Sequence, residues 1–326
     1  MNILVTGGTG FIGSHLTEEL MQKGHTVYSM VRTPEKRTYI EQKGAILVHC
    51  DLSDKNAIAR IMEDIEVVYH LASLRGEGRG SSKGYWETNV EGTRNLLDAA
   101  CKENIKRFVY CSTVGVTGWV TRLPGTEDHQ YNPQGVYHKT KYEAEKLSLE
   151  YHEKNGVPVT VIRPVITYGP RDDGMIYKLA KLINDGRFYT IGSGENRLHL
   201  LYIKNLVYAF KLLLEKPNSI GETYIIADPQ PLTVNQLTLM ISKNLRVPLP
   251  QRHISSTVAK TVASIMEKIS TLGITPMLNR SSVDILTKDR YYSTEKANSQ
   301  LHYQPQYTTE EGIKETIKWL KQNAVL

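Results

Sequence analysis

Tyr137 and Lys141 stand four residues apart in a segment that reads as a helix, so their side chains share one face. A phenol ordinarily titrates near ~10, and a cation held beside it favours the phenolate, bringing the group toward the range useful for moving a proton. The spacing alone proves little, because Tyr39/Lys43, Tyr142/Lys146, Tyr177/Lys181 and Tyr292/Lys296 repeat it and read as solvated helix faces. Position separates the first pair. Tyr137 opens a helix after the Gly135 loop, and the apolar run before that loop ends in Cys111-Ser112-Thr113, whose hydroxyls project from a strand end. Tyr142 points to roughly the opposite side of the same helix.

A second signal lies at the start of the chain. Thr6-Gly7-Gly8-Thr9-Gly10-Phe11-Ile12-Gly13 follows the apolar Asn2-Ile3-Leu4-Val5 and precedes the helical Ser14-His15-Leu16-Thr17-Glu18-Glu19-Leu20. Gly7 permits a tight turn, Gly10 lets the backbone approach a pyrophosphate, Gly13 lets helix pack on strand, and the helix N-terminus offers unpaired N–H groups to the anion. Glycines that merely turn the chain are the plain alternative; the strand before, the helix after and a second strand at 26–31 decide for a dinucleotide site.

These groups need a scaffold with strand ends gathered at one edge. Apolar runs recur at 3–5, 27–31, 46–49, 67–70, 108–111 and 159–162, separated by segments long enough for helical crossovers, as at 90–102 and 137–154. That alternation predicts an α/β fold, a doubly wound parallel sheet with its ligand site at the carboxyl ends of the strands. Beyond Pro164 the rhythm changes: Pro170-Arg171-Asp172-Asp173-Gly174 interrupts it, a helix is expected at 175–184, and 200–214 and 223–227 read as a further helix and strand. We expect residues 1–170 to form the nucleotide-binding domain, rejoined at about 198–228, with 171–197 and 229–326 forming a smaller, mostly C-terminal α/β substrate-covering domain.

Composition sets bounds on function. The 326 residues, 40% apolar and 23% charged, describe an ordinary globular chain. The net charge of +6 comes from scattered basic residues, which suits an anionic small molecule and is no nucleic-acid footprint. Cys50, Cys101 and Cys111 form no metal-ligand spacing, so no metal is expected. Free thiols, no room for a signal peptide before the first strand and no apolar run near ~18 residues lead us to expect a cytoplasmic protein with no membrane span.

Taken together, the chain resembles the extended short-chain dehydrogenase/reductase family, which contains nucleotide-sugar epimerases, dihydroflavonol reductases and 3β-hydroxysteroid dehydrogenases. The resemblance runs through Thr6–Gly13, Asp51-Leu52, His70-Leu71-Ala72-Ser73, Asn89-Val90-Glu91-Gly92-Thr93, Ser112-Thr113, Tyr137/Lys141, Arg163-Pro164, Tyr168-Gly169-Pro170 and Lys296-Ala297. It implies a Rossmann-type fold in which Tyr137 is the general acid/base, Lys141 lowers its pKa and bonds the nicotinamide ribose, and Thr113 binds the substrate oxygen. It implies a cofactor held by Gly7, Gly10, Phe11, Ile12, Gly13, Asp51, Leu52, Leu71, Ala72, Ser73, Asn89 and Pro164. Asp51 would accept from the adenine amino group; Asp51 and Asn89 read otherwise as a turn or a helix cap. A homodimer through helices 89–102 and 137–154 is also implied.

Cofactor choice is read at the end of the second strand, where an NAD site usually places a carboxylate. Met30-Val31-Arg32-Thr33, with Lys36 and Arg37 nearby, puts a guanidinium there instead. Arg32 suits a 2′-phosphate, so NADP is expected in preference to NAD, with NAD possible.

The substrate is read from departures. Val114 and Gly115 stand where sugar-nucleotide dehydratases carry an Asp-Glu pair, which excludes dehydration for want of an acid and base. Ile166 replaces the Asn common in epimerases, Arg197 falls one residue early for a diphosphate ligand, and Lys204-Asn205 replaces an acidic pair. Candidate substrate contacts are therefore Ser73, Thr113, Ile166 and Arg197. An apolar stretch at 258–272 is a candidate to wall an apolar pocket, and Tyr85, Trp86 and Trp119, flanking site-facing loops, are candidates to stack on the substrate; each reads otherwise as core. The leading expectation is an oxidoreductase interconverting a secondary alcohol and a ketone. The alternatives are a nucleotide-sugar epimerase with tightly held NAD and a non-catalytic NADP-binding redox sensor, which would not need Thr113, Tyr137 and Lys141 together.

Overall fold

The structure is a computed structural model that describes residues 1–32, 38–75, 80–270 and 280–325. Six strands, β1 (Asn2–Thr6), β2 (Thr26–Val31), β3 (Ile46–His49), β4 (Val67–His70), β5 (Arg107–Cys111) and β6 (Val159–Pro164), join the strand Thr223–Ile226 in a wholly parallel sheet. Its order is β3-β2-β1-β4-β5-β6 followed by Thr223–Ile226. The chain reverses direction across the sheet between β1 and β4, where Thr6 pairs with His70, and a ligand crevice opens at such a reversal. All residues of β4, β5 and β6 are buried, as expected of central strands covered by helices on both faces.

The expected strands appear within two residues of their sequence limits. The segment at 200–214 differs: Leu200–Tyr202 forms a short strand paired with Ile166–Tyr168, and the helix begins only at Ile203. Extended backbone at Tyr202 (φ −67°, ψ 136°) delays the helix, because this stretch finds a strand partner that no local pattern announces.

Helix α1 (Phe11–Gln22) follows the glycine turn directly. On the helix Gly135–Asn155 the buried residues are Thr140, Lys141, Ala144, Glu145, Leu147 and Ser148. That is one stripe of an amphipathic helix, yet two of its members are charged and must find partners inside. The C-terminal region is fastened to the sheet through Asp228, just past Thr223–Ile226. Its carboxylate accepts from the Tyr202 amide (2.9 Å), Asn205 (2.8 Å), Thr309 (3.2 Å) and Tyr168 (3.4 Å). Burial nevertheless pushes the Asp228 carboxyl up to about 6. A continuous apolar core runs from Val5 and Tyr69 under the sheet to Ile313 and Ile317 of the helix Thr309–Gln322. Among the described residues no helix is long and apolar enough to cross a membrane.

Candidate active site

A cavity of about 930 Å³ lies over the carboxyl ends of the strands. Gly7, Gly10, Phe11, Ile12 and Gly13 line one part of it, with Arg32, Asp51 and Leu52 beyond the ends of β2 and β3. Leu71, Ala72 and Ser73 follow β4, and Thr113, Tyr137, Lys141 and Pro164 complete the wall. The glycine turn has no room for side chains. Gly7 sits at φ +70°, and a Cβ there would stand 2.9 Å from the Ala72 amide nitrogen. A Cβ on Gly10 would come within 3.1 Å of the Gly7 carbonyl. The bare backbone at the start of α1 is what a pyrophosphate requires, so these residues fit a dinucleotide.

Thr6 and Thr93, which the sequence places in motifs without giving them a role, hold the β4 end in place. The Ala72 amide donates to Thr6 Oγ1 (3.1 Å), which bonds His70 Nδ1 (2.7 Å); His70 Nε2 bonds Thr93 Oγ1 (2.8 Å), which donates to the Asn89 carbonyl (2.7 Å). Because the Thr93 hydroxyl gives its proton to a carbonyl, it must accept from His70. The hydrogen-bond network therefore assigns the proton to Nε2 and leaves Nδ1 to accept from Thr6. Burial keeps this imidazole neutral, lowering it to about 3.

Asn89 does not line the cavity and does not cap a helix. It is buried in the turn Glu87–Glu91, where Oδ1 accepts from the Leu74 amide (2.7 Å) and Nδ2 donates to the Leu74 carbonyl (3.1 Å) and Thr140 (3.0 Å). It thus ties the segment after β4 to the helix that carries Tyr137. Two hydrogen bonds from Ser53, with the Arg32 charge behind them, hold Asp51 below the usual carboxylate range.

Tyr137 and Lys141 both face the cavity, as their spacing requires, but they do not pair as expected. The Lys141 ammonium donates to the Cys111 carbonyl at 2.6 Å and lies 4.2 Å from the Tyr110 ring centre. Burial lowers it to about 8. A buried ammonium takes the acceptors nearest to it, and the phenol is not one of them. Burial and the Cys111 thiol raise Tyr137 to about 12, against which Arg75 and a hydrogen bond with Ser73 pull down. Thr113 Oγ1 accepts from the Gly115 amide (3.1 Å), leaving its own O–H to donate.

Glu145, one turn beyond Lys141, was also not singled out by sequence. It accepts from Ser112 Oγ and from Arg163, whose Nη2 reaches Oε1 at 2.6 Å; the two side chains are 0% and 2% exposed. Tyr131 adds a bond to Glu145 (2.9 Å) and accepts from Arg163 (2.6 Å). The network locks the ends of β5 and β6 to the Tyr137 helix. A charged residue at helical spacing from Lys141 was the available signal.

The candidate substrate residues divide. Ser73 and Thr113 line the cavity, whereas Ile166 and Arg197 do not. Val165 and Thr167 line it instead, because alternation in the strand turns Ile166 the other way. Arg197 bonds Asp289 (3.1 Å) and Tyr291 (3.0 Å). Trp119 carries Lys288 over its ring at 4.6 Å, Tyr85 is core, and Trp86 is exposed. The helix Ser256–Ser270 buries Ala259 and Ala263 while Val258, Val262 and Ile265 are exposed, and none of its described residues lines the cavity; residues 271 and 272 lie outside the described residues.

Residues 3–227 match the NAD dependent epimerase/dehydratase family. The chain belongs to that family. It is 30% identical over 328 residues, 96% of its length and 98% of the relative's, to a 2-alkyl-3-oxoalkanoate reductase of Stenotrophomonas maltophilia. The solved UDP-glucose 4-epimerase of Thermotoga maritima, with UDP-glucose, superposes with a TM-score of 0.83 at 25% identity, covering 99% of this chain and 100% of that one. The UDP-glucuronic acid 4-epimerase of Bacillus cereus, with UDP-glucuronic acid and NAD, gives 0.81 at 25%, again covering 99% and 100%.

This member of the epimerase/dehydratase family is therefore an enzyme with NAD(P)-linked oxidoreductase/epimerase chemistry and a catalytic tyrosine. Between the two forms of that chemistry, the comparisons favour the epimerase alternative over the net reductase. They also overturn the expected preference for NADP, since the Bacillus cereus UDP-glucuronic acid 4-epimerase was solved with NAD. The structure supplies the physical reason. Arg32 lines the cavity with Asp51, whose carboxylate stays charged below its usual range, so this strand end presents a carboxylate as well as a guanidinium. Lys36 and Arg37 lie outside the described residues.

Proposed function

We propose that this chain is an NAD-linked epimerase acting on the secondary carbinol of a nucleotide sugar. The observation that supports it is the cavity itself. The family's glycine turn, Thr113, Tyr137 and Lys141 line one continuous wall in a fold that superposes over nearly its whole length on two UDP-sugar 4-epimerases. NAD held by the glycine turn, Asp51 and the segment Leu71–Ser73 would supply the hydride acceptor.

In this reading Tyr137 takes the substrate hydroxyl proton and returns it. The protonated phenol is the form that returns a proton to the ketone oxygen. Taking the hydroxyl proton in the first half-step needs the phenolate, which burial opposes and the Arg75 charge and the Ser73 hydrogen bond favour. Thr113 donates its free O–H to that oxygen and stabilises the charge that develops there. Lys141, which lines the cavity, would hold the ribose hydroxyls of the bound NAD. The Glu145–Arg163 pair keeps Ser112, and hence Thr113, at the β5 end. The Tyr137 helix and the helix Gly92–Lys102 would form a homodimer interface, in a cytoplasmic protein.

A second reading is a net reductase of a 3-oxo acid, favoured by the Stenotrophomonas relative and by Arg197, which is engaged by Asp289 rather than facing the cavity. One experiment separates them. The extensively desalted protein is denatured, the released dinucleotide is identified, and turnover of UDP-glucose and UDP-glucuronic acid is followed without added cofactor. Near-stoichiometric NAD and interconversion of either sugar carry the epimerase; an empty protein that consumes NADH with a 3-oxo acid overturns it.

A further inference from the structure

The inference deepens the reading above, resting on its placement of the reacting carbinol beside Tyr137. Among the described residues, four cations line the cavity: Arg32, Arg75, Lys141 and Arg171. Three are engaged firmly or elsewhere. Arg32 lies elsewhere, beyond the end of β2, and Lys141 donates to the Cys111 carbonyl at 2.6 Å. Arg171 grips both oxygens of Glu18 at 3.1 Å, lies 4.5 Å from the Tyr39 ring centre and is 21% exposed.

Arg75 is held differently. Its Nη2 makes a single 3.2 Å contact with Asp173 Oδ1, and the two side chains are 50% and 63% exposed. Arg75 follows β4 and Asp173 precedes the helix Met175–Asn184, so the pair joins two separate walls of the cavity. We propose that Arg75 is a subsite for a substrate carboxylate, which replaces Asp173 on the guanidinium and holds the reacting carbinol beside Ser73 and Tyr137.

The existing partner shows that the guanidinium donates to a carboxylate. An exposed, one-bond ion pair contributes little, so breaking it costs little. A carboxylate met by two parallel N–H bonds inside the cavity is held more strongly and in a defined orientation. Arg75 stands two residues past Ser73 and lines the same cavity as Ser73 and Tyr137, and its charge pulls the Tyr137 phenol down. Nothing in the sequence marks this role, because Arg75 and Asp173 are 98 residues apart.

The test is calorimetric binding to the NAD-loaded full chain of two matched pairs of probes that differ in a carboxylate: UDP-glucuronic acid against UDP-glucose, and 3-oxohexanoate against 3-hexanone. The wild type should favour the acidic member of at least one pair by about tenfold or more, the scale of one charge-assisted hydrogen bond. Arg75→Gln should abolish that preference, and Asp173→Asn, which frees the guanidinium, should increase it. No preference in either pair, or a preference that survives Arg75→Gln, overturns the proposal. A preference confined to the oxo-acid pair, with neither sugar bound, supports the Arg75 subsite and counts against the epimerase reading alone. Equal binding of both sugars without an oxo-acid preference leaves the epimerase standing and removes the subsite.

Discussion

Lys141 gives its ammonium to the backbone carbonyl of Cys111 at 2.6 Å, so the side chain placed one helical turn from Tyr137 is anchored to the end of β5 and not to the phenol. The cation lies over the Tyr110 ring, in surroundings that lower it to about 8.

A consequence for stability follows from linkage. In the unfolded chain a lysine titrates near ~10.4, so between about 8 and ~10.4 the unfolded state binds more protons and stability rises with pH. The cost of the buried charge is fully present below about 8 and absent above ~10.4, a difference of about 3 kcal/mol. Lys141→Met should remove this rise from the cofactor-free protein. Urea unfolding of both proteins from pH 7 to 10.5 checks it, and parallel curves would refute the assignment.

Tyr137→Phe keeps the ring and removes the proton. Turnover should fall by about 10²–10⁴-fold, the usual contribution of a positioned acid/base, while NAD affinity changes by less than about twofold. Turnover assays beside fluorescence titration with NAD read both quantities, and unchanged turnover would take Tyr137 out of the mechanism.

Thr93→Val leaves the His70 Nε2–H facing a methyl group in a buried site. An unsatisfied buried donor costs about 1–3 kcal/mol, and the segment carrying Ala72 and Ser73 loses a support. Denaturant midpoints should fall accordingly and NAD should bind more weakly; a Val variant matching wild type in both would show the histidine chain to be dispensable.

Removing one partner of the Glu145–Arg163 pair strands a buried charge. Glu145→Leu should cost about 3–5 kcal/mol, whereas Glu145→Leu with Arg163→Met should cost less than the single change. A double-mutant cycle by chemical unfolding measures the coupling, and strict additivity would deny it.

Gly7→Ala meets two obstacles, a left-handed backbone (φ +70°) and a Cβ 2.9 Å from the Ala72 amide nitrogen. The substitution should weaken NAD binding at least tenfold and lower stability by about 1 kcal/mol or more. Calorimetry with NAD would show the reverse if the turn were only a connection.

The strand runs, the glycine turn and the Tyr137/Lys141 helix were legible in the amino-acid sequence because each is local. Buried parallel strands demand continuous apolar runs, a tight turn at positive φ demands glycine, and 3.6 residues per turn put positions 137 and 141 on one face. What was not legible depends on partners remote in the chain. Where Lys141 points was decided by the Cys111 carbonyl, the place of Asn89 by Leu74 and Thr140, the engagement of Arg197 by Asp289, and the pairing of Arg75 with Asp173 by two loops brought to one cavity. Types and spacing name the groups available for chemistry; only packing fixes which charge each one meets, because electrostatic and hydrogen-bonding partners are chosen by distance in space and not along the chain.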